Sequence, residues 1–268
     1  MPTAREIAAT VLSDKKQGTQ FPTDLQRIVA SIGNLELECL QTDKRFEGRL
    51  ELCCGKPTIF LNIGTYGLAH ARTRFTLGHE LGHFFLHRRM LRPGHPIHDA
   101  VVSHSEDLPA FEREANEFSS ELLLPTTLVK RELLGKLVTL ELVDGLARAA
   151  SASIPASAIK VADLSTASLC FFWEADGTIQ WTAPTAAWRS SKHPSSSWRN
   201  RMPVGSYTSS TTDSFEAREV APGVWHPNHQ SNDPLIESAL RTNHGRLTMV
   251  FNPHLEPIEG NAPLRRGR

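Results

Sequence analysis

The stretch FTLGHELGHFFLHR at residues 75–88 sets His79 and His83 four positions apart, with Glu80 directly after the first. Four residues make about one turn of an α-helix, so both imidazoles stand on one face and can reach a single ion. Imidazole nitrogen suits Zn²⁺, which accepts tetrahedral geometry. Glu80 lies one step round the helix, near such an ion but poorly placed to ligate together with both histidines. It is left to accept a proton from a bound water, whose pKa the ion lowers from about 15.7 to about 7. Gly78 and Gly82 each cost roughly 1 kcal/mol of helix stability relative to Ala. Close approach of a second backbone would account for both. His87 continues the series one further turn on and is read as a solvated or packing residue.

Two histidines and a water leave one protein ligand to find. FEREANEFSSELLLP, residues 111–125, reads as a helix whose apolar stripe is Phe111, Ala115, Phe118 and Leu122. Glu114, Glu117 and Glu121 line one flank, an acidic row expected to face solvent. Glu112 shares the other flank with Asn116, Ser119 and Leu123, in semi-buried company. Glu112 is therefore the favoured third ligand, and Asn116, one turn on, could hydrogen-bond a ligand from behind. His98 and His104, in the loop before this helix, are candidates for an oxyanion donor. In a closed structural site either could instead be a fourth ligand. One ion per chain is expected, Zn²⁺ first, with Mn²⁺ or another divalent ion as the alternative.

These residues need elements to hold them. Residues 3–15 read as a helix, and FPTDLQRIVASIG as a second, with Thr23 as its cap and Gly33 as its stop. NLELECLQ alternates like a strand, and GRLELCCGKPTIFLNIG reads as a hairpin turning around Gly55, Lys56 and Pro57. The motif helix is expected from about Ala69 to Met90, the loop from 92 to 109, and the ligand helix from about 110 to Pro125. Two helices, a sheet and two more helices make an α+β order. An edge strand near Thr58–Asn62 could hold an extended peptide by strand addition.

RFTLGHELGHFFLH and EREANEFSSELLLP, preceded by TIFLN, together resemble the ImmA/IrrE family of metallopeptidases, over about residues 1–165. The resemblance implies a zincin-like domain in which His79, His83 and Glu112 bind zinc and Glu80 is the general base. It also implies a protein substrate, a helix-turn-helix repressor whose cleavage derepresses stress-response or mobile-element genes. One branch of the family joins a peptidase-like domain, a helix-turn-helix-like segment and a C-terminal GAF-like sensor domain, and this chain is similar to it in length. The expected division is 1–135 for the peptidase domain, 136–166 for the helix-turn-helix-like segment, and 167–268 for a small mixed α/β regulatory domain.

The composition agrees with a globular chain. Of 268 residues, 40% are hydrophobic, 22% are charged, and 29 basic residues balance 29 acidic ones. Nothing in that balance calls for nucleic acid or membrane. No apolar run nears the roughly 18 residues of a membrane span. The charged N-terminus does not read as a signal peptide, and the four cysteines lack CxxC spacing, so a reduced, cytoplasmic protein is expected.

Past residue 135, TLELVDGLARAASASIPASAIKVADLS reads as two short helices around Ser151–Ser153. Arg148 and Lys160 are outnumbered by Glu141, Asp144 and Asp163, which argues against direct DNA binding. All five tryptophans lie after residue 172. ASLCFFWEADGTIQWTAP reads as a hairpin on an Asp-Gly turn, and PLIESALRTNHGRLTMVFNP as a helix followed by a strand. The tryptophans are expected to pack a core rather than line a pocket.

Overall fold

A computed structural model describes residues 2–42, 46–94, 109–190, 201–203, 205–206, 214–225 and 235–253. The chain divides into two compact units, Met1–Leu128 with Arg148–Ser153, and Val129–Ala147 with Ile154–Arg268.

In the first unit α1 (Ala4–Asp14) opens on a capping box. The Thr3 hydroxyl accepts from the Glu6 N–H at 3.2 Å, and the Glu6 carboxylate accepts from the Thr3 N–H at 2.7 Å. α2 (Leu25–Ala30) is capped by Asp24, whose carboxylate accepts from the Arg27 N–H at 2.9 Å; the expected cap, Thr23, is fully buried one position earlier. β1 (Glu36–Leu40), β2 (Gly48–Cys53) and β3 (Lys56–Asn62) form a sheet in the order β1-β3-β2, with β1 parallel and β2 antiparallel to β3. The hairpin turns on Cys54 and Gly55, at φ 51° and 83°. Two consecutive positive φ values are what a two-residue type I′ loop requires. Lys56 and Pro57 are therefore strand residues, not turn residues. β3 is consequently the central strand, paired on both sides. The edges are β1 and β2, which corrects the expectation of an open edge at Thr58–Asn62.

Above this sheet α3 (Ala71–Gly82) packs on α4 (Ala110–Leu123). Leu77 and Leu81 of α3, Leu50, Ile59 and Leu61 of the sheet, and Ala115, Phe118 and Leu122 of α4 form its buried core. The stripe expected on α4 is thus the stripe it buries, apart from Phe111. The helix expected to continue to Met90 changes character instead. A π-turn covers His83–His87 and a 3₁₀ turn Arg88–Met90. The wider i→i+5 turn rotates the residues after His83, and such turns concentrate at functional sites.

The second unit contains α7 (Ile154–Leu164), which packs on β4 (Leu169–Ala175) and β5 (Thr178–Pro184). Before α7 the chain runs through α5 (Thr126–Leu133), α6 (Leu140–Ala150) and a short connection in which Ser151 takes φ 50°. After β5 come α8 (Ala186–Ser190), β6 (Ser214–Val220), α9 (Pro222–Trp225), β7 (Leu235–Thr242) and β8 (Gly245–Phe251). The sheet order is β5-β4-β8-β7-β6 with every neighbouring pair antiparallel. The Asp176–Gly177 turn, at φ 51° and 72°, joins β4 to β5 as its dipeptide suggests. Residues 235–242 are a strand, not the expected helix. Their Leu, Glu, Ala and Arg favour a helix, but pairing with β6 and β8 overrides that weak preference. The Glu237 carboxylate is fully buried there and accepts from Ser206 Oγ at 2.6 Å and Trp225 Nε1 at 2.9 Å. Trp188 and Trp225 pack with Cys170, Phe172, Val220, Leu235 and Val250, so these two rings build core. Among the described residues no helix is long and apolar enough to cross a membrane.

Candidate metal centre

Two glycines bring the chemistry-bearing helices together. A Cβ at Gly78 would stand 2.5 Å from Ser119 Oγ, and one at Gly82 would stand 2.9 Å from Ala115 Cα. Only glycine permits that approach, and Ser119 Oγ fastens it by donating to the Phe75 carbonyl at 2.8 Å. Glu112 of α4 is thereby set against His79 of α3 and His83 at the start of the π-turn.

Both histidines are buried, at 2% and 0% exposure. Their Nε2 atoms are 3.0 Å apart. Glu112 Oε2 is 3.1 Å from His79 Nε2, and Oε1 is 3.5 Å from His83 Nε2. One ligand atom from each residue lies within 4.8 Å of the others. The outer nitrogens are also engaged. His79 Nδ1 is 2.9 Å from Asn116 Oδ1, and His83 Nδ1 is 3.1 Å from His87 Nδ1. An amide oxygen only accepts, so the proton of His79 belongs on Nδ1 and its Nε2 presents a lone pair. If His83 likewise carries its proton on Nδ1, two lone pairs and a carboxylate converge on one point. Glu112 Oε1 is buried without a hydrogen-bond partner, since 3.5 Å to His83 lies outside good geometry. A shared cation is what satisfies three converging acceptors, so the donor set fits a metal ion.

The electrostatics agree. Burial pushes the His83 pKa down from its ordinary 6.5, which favours the neutral, ligating imidazole. Burial works to raise Glu112, but the two imidazoles more than offset it and hold that carboxyl well below the usual carboxylate range. Glu80 is fully buried. It lies beside the start of β2, where a Cβ on Gly48 would stand 2.5 Å from Thr76 Cγ2 and 3.4 Å from Glu80 Oε1. The preceding residue, Glu47, accepts two hydrogen bonds from Arg72 at 2.6 and 2.7 Å, which ties β2 to α3.

The structure therefore brings His79, His83, Glu112 and Asn116 together. His98 and His104 lie outside the described residues. One expectation is narrowed and one is corrected. Of the solvated and packing alternatives for His87, the structure takes the packing one. His87 is buried between His83 and Glu114, with its Nε2 2.9 Å from Glu114 Oε2. The acidic row on α4 is not all solvated. Glu121 is buried and accepts from the Thr126 N–H and hydroxyl, both at 2.7 Å, at the start of α5. The four-residue step from His83 to His87 was the available signal for the first. The second had a weaker one, an acid five residues before a threonine that follows a proline.

Comparison with known proteins bears on the same segment. Residues 40–160 match the model of the peptidase M78 family, described as an IrrE N-terminal-like domain. No curated protein matches the chain. Among solved structures, a Mycobacterium tuberculosis transcriptional regulator is similar with a TM-score of 0.51 at 12% identity, covering 92% of this chain and 74% of that one. At that identity the likeness is one of fold. The matched segment contains α3, the π-turn and α4 with all of the converging residues, so residues 40–160 carry an IrrE N-terminal-like domain of the peptidase M78 type.

Proposed function

We propose that the protein is a zinc-dependent metalloendopeptidase of the cytoplasm that cleaves a helix-turn-helix repressor and so derepresses stress-response or mobile-element genes. The observation that carries the reading is the convergence of His79 Nε2, His83 Nε2 and the Glu112 carboxylate, within 4.8 Å of one another, from α3, the π-turn after it and α4. Zn²⁺ or another divalent ion held there would polarise the scissile carbonyl and acidify the attacking water. Asn116 keeps His79 in the tautomer whose Nε2 faces the ion. Glu80, next to His79 in the chain, takes a proton from the attacking water and returns it to the leaving amine. Burial keeps bulk water from competing for that transfer. An extended substrate can add to the outer edge of β2, which Leu52 partly shares with Pro93. The second unit supplies regulation, and the fold it shares with a transcriptional regulator supports that part of the reading.

A second reading keeps the ion but not the peptidase, as a metal-containing regulator that senses or binds DNA; the same fold likeness favours it. The test separates the two. Full-length protein is stripped with chelator, reloaded with Zn²⁺ and incubated with repressors encoded beside its gene. The proposal expects one ion per chain and repressor fragments that vanish with chelator and return with Zn²⁺. One ion per chain with no fragment from any of these repressors would favour the regulator.

A further inference from the structure

The pair behind His83, buried His87 and exposed Glu114, has no part in the chemistry described so far. We propose that His87 and Glu114 form a positioning relay that fixes the tautomer and ring plane of His83, and so sets how tightly the centre holds its ion. The inference rests on the metal reading above.

The direction of the relay follows from donors and acceptors. His83 Nε2 faces His79 Nε2 and Glu112, so a ligating His83 must carry its proton on Nδ1. That proton points at His87 Nδ1, 3.1 Å away, which must accept it. The proton of His87 is then on Nε2, and it points at Glu114 Oε2, 2.9 Å away. An ionised carboxylate cannot donate, so Glu114 sets the polarity of the whole chain from its outer end. Glu114 is the solvent-facing end, with its side chain 55% exposed, while His87 is 8% exposed. Phe111 packs against both rings, with centroids 5.9 Å from His83 and 6.0 Å from His87. The π-turn carries both histidines at its two ends. α4 therefore supplies a candidate ligand, Glu112, and the outer partners of both histidines, Glu114 through His87 and Asn116 directly. The two differ in kind. His79 leans on a neutral amide and His83 on a carboxylate relayed through an imidazole.

The rival account is that His87 is simply a ring packed on Phe111. Two substitutions at one position give opposite orders under the two accounts. His87→Phe keeps the apolar ring and removes the acceptor. His87→Gln loses the ring, but its amide oxygen can accept from His83 and its NH₂ can donate to Glu114. The relay predicts that His87→Phe weakens Zn²⁺ binding by about 10–100-fold, the usual effect of losing such a partner, while His87→Gln stays close to wild type. Glu114→Leu, at an exposed side chain, should fall between them. Affinity is read by competition with a chromophoric chelator on full-length protein, with thermal melting to show that each variant is folded. Wild-type affinity in His87→Phe, or weaker binding in His87→Gln than in His87→Phe, overturns the relay. A readout without metal separates this from failure of the metal reading. The His83 Nδ1–H should give an exchange-protected imidazole signal in ¹⁵N–¹H spectra of metal-free wild type and lose it in His87→Phe. Absence of that signal in the wild type overturns the relay, and a wild type that takes up no Zn²⁺ overturns the metal reading and the relay's role in it.

Discussion

Replacing Gly82 with Ala adds one carbon where α3 and α4 are closest. In an isolated helix the change would gain about 1 kcal/mol. Here the new Cβ would stand 2.9 Å from Ala115 Cα, 3.1 Å from its carbonyl oxygen and 3.3 Å from its Cβ. The first two are backbone atoms, so no side-chain rotation relieves them. Comfortable carbon contact begins near 3.5 Å, so α4 must retreat by roughly half an ångström or more. Overpacking of this kind costs about 1–3 kcal/mol, which outweighs the helix gain in most of that range. The retreat also draws Glu112 away from His79, where the present distance is 3.1 Å. Gly82→Ala should therefore lower both the melting temperature and the affinity for Zn²⁺. Gly145 on α6 is the control, because a Cβ built there meets nothing within 4 Å. Gly145→Ala should gain about 0.5–1 kcal/mol, or a few degrees at about 2–4 °C per kcal/mol. Calorimetry and metal titration of both variants decide it. A Gly82→Ala protein that melts higher than wild type and binds Zn²⁺ equally well would refute the close-approach argument.

Glu112→Ala should lower Zn²⁺ affinity by more than the roughly 10–100-fold typical of an outer partner; competition titration showing wild-type affinity would remove it from the ligand set. Burial holds His83 below its ordinary pKa of 6.5. As pH falls past about 6.5 the unfolded chain takes up this proton before the folded one does, so chelator-treated protein should lose stability between pH 7 and 5. A melting temperature that stays flat across that window in wild type, or falls equally in His83→Phe, would contradict it. In the second unit, Glu237→Leu takes an acceptor from Ser206 and Trp225. It should lower the urea midpoint, followed by tryptophan fluorescence, at a cost of about 1–3 kcal/mol per stranded donor.

Much of the site could be read from spacing alone. A four-residue step on a helix puts His79 and His83 together whatever the fold, and the flank of Glu112 followed from one amphipathic helix. The two glycines were legible as close contacts because their helix cost needs a reason. The role of His87 was legible only as a four-residue step from His83, because the π-turn that aims its ring is set by packing across α3, α4 and Phe111. Glu114 was read with its neighbours as a solvated row, yet one member of a row can be recruited by a single side chain from another element. The central place of β3 depended on β1 returning in parallel, a long-range pairing that local alternation cannot reveal. β7 was misread for a related reason. Its composition favours a helix, and its strand state comes from partners on both sides and from the buried acceptor Glu237.

The most direct measurement of the central claim is the Glu80→Gln variant, assayed for metal and for cleavage in the same preparation. Gln keeps the size of the side chain and removes its basicity, while His79, His83 and Glu112 remain. The account predicts one Zn²⁺ per chain with near wild-type affinity and repressor cleavage slower by about 10²–10⁴-fold. Cleavage by the metal-loaded variant at the wild-type rate would contradict it.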